Sequence, residues 1–563
     1  MDADSVGRVN EVRPEDVQAS FCASVVDQWV RCGVSAAMIA PGSRSTPMAL
    51  ALVAHPDIEV SVFLDERSAA FAGLGWGVAT GRPAVILCTS GTAATHFHGA
   101  VVESSLSGVP LIVVTADRPP ELKDVGAPQT IDQTKLFGDA VRWFHEPGVP
   151  TLETRSRWRP MAARIHAAST GTNPGPVHVN LAFREPLVGS DIWRSDADES
   201  PTHSTGRLIP GSDIIDEASR RWSNRRGLLI VGRGGPDAEH VEALSTALGW
   251  PVLADSRSGA QSVSRAIVHF DSIVRTDDPA LRPEVVVRFG EAPSSKALGR
   301  FLADESVEQW HVSGRPSPFD PDGRTSREVT VDPNALIDGV LASVQAVDPA
   351  WSTTWTNVDT VARARFARLD DVATTLSGPS VARAMVRCLP HGSNLVVSSS
   401  MPIRDLEWFA GDCSHLRVHS NRGANGIDGV LATAIGVALA TGRTTAVLIG
   451  DVAFVHDSSS LAALRSRGID LRVVASDNDG GGIFHHLPQR TQLGGDTFET
   501  LFGTPHGTDL VAMAAAFGLD AASAGSMTEL NTRLGTRGPT VTVVATDRDV
   551  DVDEHRRLHA SIL

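Results

Sequence analysis

Short apolar runs, rich in Val, Ile and Leu, recur along this chain, and each stops at Gly, Pro, Asp or Ser. In the first third they read "SAAMIAPG", "VSVFLDE", "AVILCTSG", "PLIVVTADRPP" and "PVHVNL". Between them lie stretches such as "RSAAFAGLGWGVATG", with helical periodicity and a closing Gly. A run that is apolar throughout is a strand covered on both faces. Strands joined through helices run parallel to one another. The rhythm therefore predicts an α/β fold of parallel sheets flanked by helices.

At common domain sizes, 563 residues make about three or four domains. The stretch 189–206, "GSDIWRSDADESPTHSTG", is polar, acidic and aperiodic, and reads as a linker. A second series follows, "GLLIVG", "PVLADS", "VVVRFG" and "QWHVSG". It closes through "PSPFDPDG" and a long helical pattern near residue 370. A third begins near Ser377 with "GPSVARAMVRCL" and runs through "SNLVVSSS", "TTAVLIGD", "DLRVVASDN" and "PTVTVVATD". The expected domains are thus residues 1–190, 207–370 and 377–563. The first and third share size and rhythm, which predicts two related folds although no close repeat is visible.

Charge narrows the function. A formal net charge of -16 speaks against general nucleic-acid binding, which needs a basic face. Anionic small substrates would need local clusters of Arg or Lys. The five Cys form no C-x-x-C pair, as expected of thiols in a reducing compartment. The N-terminal "MDADSVGRVNEVRPED" lacks an apolar h-region, and "GVLATAIGVALATG" is too short to span a bilayer. These features predict a cytoplasmic protein.

One segment asks for a ligand. "SDNDGGGIF", residues 476–484, follows the strand "LRVVA", and three consecutive glycines exceed what a turn needs. Upstream, "TTAVLIGD" ends at Asp451, and "SSSLAALRSRG" supplies a crossover helix. In such a βαβ unit Asp451 and Asn478 share the carboxyl edge of the sheet, where open α/β sheets bind ligands. A carboxylate, an amide oxygen and a backbone carbonyl form a hard oxygen set suited to Mg²⁺ and phosphate. The glycines are expected to let the main chain approach a diphosphate. A lone "GD" is usually only a turn. Its coupling to N-x-G after 27 residues is more specific. It resembles the thiamine diphosphate motif, GDG followed by about thirty residues and NN, with Val452 and Asp479 as departures. Under that resemblance Asp451, Asn478 and the Gly480 carbonyl bind the metal.

Together "IAPGSRSTPMALAL", "FLDERSAAFAGLGWG", "TSGTAATHFHGAVVESS", "VVTADRPPEL", "SNRGANGIDG" and "DGGGIF" closely resemble one family. It is the 2-succinyl-5-enolpyruvyl-6-hydroxy-3-cyclohexene-1-carboxylate synthases of menaquinone biosynthesis. The similarity covers most of the chain and is weakest in the middle segment. It implies a thiamine diphosphate-binding fold with pyrimidine-binding, middle and diphosphate-binding domains. It also implies thiamine diphosphate with Mg²⁺ or Mn²⁺, and a homodimer or homotetramer with active sites at the subunit interface. The implied reaction decarboxylates 2-oxoglutarate and adds the succinyl-semialdehyde carbanion equivalent to isochorismate. CO2 leaves and the enolpyruvyl group is retained.

The resemblance carries residue roles with it. Glu66 matches the glutamate that activates the cofactor; its place after a buried strand suggests a shifted pKa. By itself "DER" would only give a helix start favourable charge. Ile427 matches the apolar residue that props the cofactor in its bent form. Ile483, Phe484 and Leu487 match an apolar wall that keeps water from the carbanion. Ser400, Arg404 and Arg422 match positions near 2-oxoglutarate. Ser43, Arg44, Arg118, Gln129 and Lys296 match positions near isochorismate. Guanidinium forks suit dicarboxylates. Beside Lys296 the family often has Arg, where this chain has Ala297, which weakens the middle domain's expected contribution.

Other readings are weaker. An acetohydroxyacid synthase, oxo-acid decarboxylase or other thiamine diphosphate carboligase is opposed by "PGSRSTP" and the Arg set. A regulatory protein without turnover is opposed by Glu66, Asp451 and Asn478. A nicotinamide site at "GRGGPDAEH" lacks the full G-x-G-x-x-G spacing and reads as a fold remnant.

Overall fold

The computed structural model describes residues 12–194, 206–316, 320–370 and 376–562. Residues 195–205 of the expected linker, residues 1–11 of the N-terminal stretch and 317–319 of "PSPFDPDG" lie outside them. The described start of the linker stretch packs down. The Ser190 and Asp191 N–H groups donate to Asp16 Oδ1 at 2.8 and 3.1 Å, and Trp193 stacks on Trp158 at 5.5 Å.

The chain forms two compact units. The first holds Met1–Thr205, Arg422–Asn425 and Ile435–Thr441. The second holds Gly206–Asn421, Gly426–Ala434 and Gly442–Leu563.

In the first unit, β1 (Ala36–Ile39), β2 (Glu59–Val62), β3 (Ala84–Cys88), β4 (Leu111–Asp117), β5 (Trp143–His145) and β6 (Pro176–Ala182) form one sheet. Its order is β2-β1-β3-β4-β6-β5, all parallel. Strands β1, β3, β4 and β6 are buried throughout, as their unbroken apolar runs require. Strand β2 is a correction to the expected buried strand before Glu66. It lies at the sheet edge, with Glu59 and Val62 exposed.

The second unit carries two sheets. The first contains β7 (Gly227–Val231), β8 (Val252–Ala254), β9 (Ala266–Ile267), β10 (Val285–Phe289), β11 (Glu308–Ser313) and β12 (Arg327–Thr330), ordered β12-β11-β10-β7-β8-β9. That is the doubly wound order of dinucleotide-binding folds. The Gly-rich loop after β7 packs on protein: a Cβ on Gly232 would lie 1.9 Å from the Glu291 carbonyl oxygen.

The other sheet contains β13 (Asn394–Val397), β14 (Arg417–His419), β15 (Thr445–Gly450), β16 (Leu471–Asp477), β17 (Asp520–Ser523) and β18 (Thr540–Ala545). Its order, β14-β13-β15-β16-β18-β17, repeats that of the first unit's sheet strand for strand. The shared rhythm thus corresponds to a shared topology. No helix among the described residues is long and apolar enough to cross a membrane.

Within the first unit, buried Glu103 anchors the "SNRGANGIDG" loop. Its carboxylate accepts the N–H groups of Gly423, Ala424 and Asn425 at 2.9, 2.7 and 2.9 Å, and the Ser107 hydroxyl at 2.7 Å. Glu103→Ala is expected to leave three N–H groups without an acceptor, at about 1–3 kcal/mol each where they stay buried. Hydrogen exchange at Gly423–Asn425 should accelerate. Unchanged protection would show that the loop is held by other contacts.

Candidate active site

Strands β15 and β16 pair in parallel with Gly450 opposite Ser476, which sets Asp451 beside Asn478 at their carboxyl ends. Asp451 opens the short helix Asp451–His456 and is 2% exposed. Its Oδ2 accepts the N–H groups of Asn478 and Gly480 at 3.0 and 2.8 Å, and Oδ1 accepts that of Val452 at 2.7 Å. Burial pushes the carboxyl above its ordinary pKa, while these N–H groups favour the carboxylate. Asn478 Oδ1 is buried and accepts no hydrogen bond. A buried carboxylate beside an orphaned amide oxygen is a donor set that fits a hard cation. The Gly480 carbonyl accepts the Gly482 N–H at 3.0 Å and has a lone pair left over.

Sequence reading missed two neighbours of this set. Asp451, Asp477 and His506 present ligand-type atoms within 4.8 Å of one another. His506 is nevertheless not a metal donor in this arrangement. Its Nδ1 accepts the Thr508 N–H at 3.0 Å, so the neutral ring carries its proton on Nε2. That nitrogen lies 3.5 Å from Asp451 Oδ2 and makes no hydrogen bond. Asp477 ends β16, just before Asn478. "TPHGTDL" carried no periodic signal.

The glycines after Asn478 pack closely on protein atoms and also line the cavity. A Cβ on Gly480 (φ +137°) would sit 1.9 Å from the Gly503 carbonyl oxygen, and one on Gly481 2.2 Å from that of Phe502. One on Gly482 would sit 2.5 Å from Asn478 Nδ2. The triplet seats the strand exit on the Glu499–Gly503 turn and holds the Asn478 amide in place.

These residues line a cavity of about 260 Å³. Ser400, Met401, Ile427, Ile483 and Phe484 line it too, as do His486, Asp405, Asp551 and His555. Ser400 precedes the helix Met401–Phe409 with φ +74°. A non-glycine residue in such a region costs about 1–3 kcal/mol, and such strain clusters at functional sites. Arg404 lies on the helix that Ser400 precedes. It is not among the lining residues, and its Nη1 donates to the Ser400 carbonyl, so its charge backs the cavity wall. Burial lowers its pKa. Leu487 also lies off the lining, its N–H bound to the Phe484 carbonyl at 3.1 Å.

In the first unit Arg44, Arg118 and Gln129 gather at the carboxyl ends of β1, β3 and β4. Arg44 is 4% exposed and donates to the Phe183 carbonyl at 2.9 Å and to Glu185 Oε1 at 2.8 Å; its Nε is buried without a partner. Burial first, and the nearby Arg118 guanidinium second, lower its pKa. Two neighbouring guanidiniums are a receptor for an anion. Arg118 donates to the Pro128 carbonyl at 3.1 Å. Gln129, at φ +54°, donates through Nε2 to the Ser90 carbonyl at 3.0 Å. Ser43 is exposed beside Arg44.

Glu66 is the first residue of the helix Glu66–Thr80, in the first unit. Asp65 does the capping, accepting the Arg67 and Ser68 N–H groups at 2.8 and 3.4 Å, so Glu66 is not used as the cap. Arg422 is half-buried in the first unit. Lys296 is exposed in the second, opening the helix Lys296–Phe301, with Ala297 buried behind it.

Comparisons with known proteins place the chain among thiamine pyrophosphate enzymes. Residues 21–136 match the family described as the thiamine pyrophosphate enzyme N-terminal TPP binding domain. Residues 209–397 match the middle domain of thiamine pyrophosphate enzymes, and 413–544 the C-terminal TPP binding domain. The chain is 39% identical over 562 residues to the 2-succinyl-5-enolpyruvyl-6-hydroxy-3-cyclohexene-1-carboxylate synthase of Geobacillus thermodenitrificans, covering 96% of this chain and 95% of the relative. It is 38% identical over 569 residues to that of Saccharopolyspora erythraea, covering 98% and 99%. It is 38% identical over 555 residues to that of Haloarcula marismortui, covering 90% of each. The crystal structure of benzoylformate decarboxylase from Polynucleobacter necessarius superposes with a TM-score of 0.72 at 18% identity, over 94% of this chain and 99% of that one, which shows a common fold.

Proposed function

The chain belongs to the 2-succinyl-5-enolpyruvyl-6-hydroxy-3-cyclohexene-1-carboxylate synthase family, and from that premise we propose how its residues divide the work. It is a thiamine diphosphate-dependent transferase of menaquinone biosynthesis. It decarboxylates 2-oxoglutarate and adds the four-carbon unit to isochorismate, with loss of CO2 and retention of the enolpyruvyl group. When bound, thiamine diphosphate supplies an acidic thiazolium carbon that serves as nucleophile toward the 2-oxo acid and as electron sink for its decarboxylation.

The observation that carries the site assignment is the buried Asp451 carboxylate beside the orphaned Asn478 Oδ1. Asp451, Asn478 and the Gly480 carbonyl would hold Mg²⁺ or Mn²⁺. Ile427 would support the cofactor's bend, and Ile483 and Phe484 would keep water from the reacting carbon, with Leu487 packed behind them. Glu66 would hold or release a proton at the pyrimidine ring. Ser43, Arg44, Arg118, Gln129 and Lys296 would receive isochorismate, whose carboxylates suit the paired guanidiniums. Ser400, Arg404 and Arg422 would receive 2-oxoglutarate.

A second copy of the chain would complete the site, in a homodimer or homotetramer. The support is apolar surface around Glu66. Val62 and Leu64, just before it, are 52% and 81% exposed, and Val53, on the helix Thr46–Val53, is 64% exposed. A cytoplasmic setting is supported by five cysteines that are all unpaired.

Arg404→Ala is expected to weaken use of 2-oxoglutarate more than cofactor binding. A charge-assisted hydrogen bond is worth roughly 1.5–3 kcal/mol, or about a 10- to 150-fold loss in kcat/KM. Pyruvate, lacking the distal carboxylate, should lose far less if it is turned over. Equal losses for both oxo acids would show that Arg404 does not read that carboxylate.

The reaction itself is tested by incubating the protein with thiamine diphosphate, Mg²⁺, 2-oxoglutarate and isochorismate. The expected result is isochorismate-dependent CO2 release and a product whose mass is the sum of both substrates less CO2. Release of CO2 with isochorismate left unchanged would contradict it.

A further inference from the structure

Beside the cofactor residues, the cavity wall carries a cluster with no assigned role: Asp405, His555, Asp551 and His486. Two helices, Met401–Phe409 and Arg548–Ala560, bring the first three together, and the turn Gly482–His486 adds the fourth. His555 Nδ1 lies 2.6 Å from the Asp551 backbone carbonyl, and Nε2 lies 2.6 Å from Asp405 Oδ1. The carbonyl can only accept, so Nδ1 must carry a proton. The short Nε2···Oδ1 contact then holds a second proton, shared with a carboxyl that is 4% exposed. Asp551 stands next to this pair as a second acid. Its Oδ1 accepts the Gly378 N–H at 3.0 Å, while a Cβ on Gly378 would sit 2.5 Å from Asp405 Oδ2, so the two carboxyls meet at one glycine.

One imidazole, sharing its second proton with buried Asp405, therefore stands beside half-buried Asp551, and all three border the space that Asp451 and Asn478 also border. A ligand filling that space would remove water from Asp551, and loss of water favours the neutral acid.

We propose that this cluster takes up a proton, at Asp551, when thiamine diphosphate and its metal occupy the cavity, so that cofactor binding tightens as the pH falls through the neutral range. The proton passes from water to the Asp551 carboxylate, and no other bond changes. The inference rests on the reading that thiamine diphosphate occupies this cavity.

The surroundings agree in sign. Burial, then repulsion by Asp405, raises the Asp551 carboxyl to about 6 even without the cofactor. Burial opposes charge on His555, but Asp405 outweighs it and raises the imidazole. His486, whose ring lies 4.8 Å from that of His555, is lowered to about 3 by burial and by His555, so it stays neutral. His559, one turn further on, is likewise lowered to about 3. Arg404 acts on Asp405, and Arg548 lines the same cavity. Since Asp551 binds its proton more tightly in the loaded state, affinity rises as pH falls from above the loaded pKa to below the free one.

Calorimetric titration of the full chain with thiamine diphosphate and Mg²⁺, in buffers of different ionisation heat, reads the uptake directly. The cofactor's own phosphate contributes equally to wild type and variant, so the difference between them is the measure. A tenfold rise in proton affinity at Asp551 gives an uptake of about half a proton near pH 6.5. Asp551→Asn, which keeps an acceptor for the Gly378 N–H, should lose that uptake and flatten the pH dependence of affinity. His555→Gln keeps a donor toward Asp405 but removes the positive charge, and should move the uptake to higher pH. Wild-type binding without proton uptake, or uptake unchanged in both variants, would overturn the inference alone. Absence of any thiamine diphosphate binding to wild type would overturn the cavity assignment with it.

Discussion

Asp451→Ala is expected to abolish retention of thiamine diphosphate, with affinity falling by more than about 100-fold. Changes to residues that merely support a metal ligand already cost about 10- to 100-fold in metal affinity, and Asp451 would be an anionic ligand itself. Without it, the charge of metal and diphosphate would be poorly neutralised. The carboxylate also accepts three backbone N–H groups, from Val452, Asn478 and Gly480. Ala would strip all three of an acceptor and loosen the strand exit. Asp451→Asn retains part of that bonding while removing the charge, and should lose cofactor affinity with the fold intact. Titration of both variants with thiamine diphosphate and Mg²⁺ checks this. Wild-type affinity in either would remove Asp451 from the site.

Glu66→Gln is expected to separate binding from activation. The amide keeps the shape of the side chain but cannot hold a proton reversibly. A positioned acid–base group typically contributes about 10²- to 10⁴-fold. Thiamine diphosphate should still bind with near wild-type affinity, while exchange of its thiazolium proton with deuterated water slows by that factor. Asp65 holds the helix cap, so the substitution leaves the first turn intact. Quenched-flow exchange followed by proton NMR reads the rate. Exchange at the wild-type rate would show that another group activates the cofactor.

What the sequence made legible follows from how local each feature is. The Asp451–Asn478 pairing was readable because a βαβ crossover fixes the register of adjacent parallel strands, and Gly450 lies opposite Ser476 accordingly. Internal strands such as β4 and β6 were readable because both faces are buried. Strands β5, β12, β14 and β17 were not: each has residues that are half-buried or exposed, and none makes a continuous apolar run. The glycine triplet was legible only as a demand for close approach. A sequence records that no Cβ is present but not what fills its place, and here protein atoms fill it. The direction of a long side chain was equally illegible. Arg404 stands where its motif put it, yet its guanidinium turns back to the Ser400 carbonyl. The Asp405–His555 pair joins residues 150 positions apart through packing of two helices, and no local spacing could announce it.

The metal assignment can be tested in one experiment. Crystals of the protein grown with thiamine diphosphate and Mn²⁺ would locate the ion by its anomalous scattering. The expected peak lies about 2.0–2.2 Å from a carboxylate oxygen of Asp451, from Asn478 Oδ1 and from the Gly480 carbonyl, with His506 Nε2 beyond bonding distance and facing the Asp451 carboxylate. A peak bonded to His506 or Asp477 in place of Asn478, or one outside this cavity, would contradict the site described here.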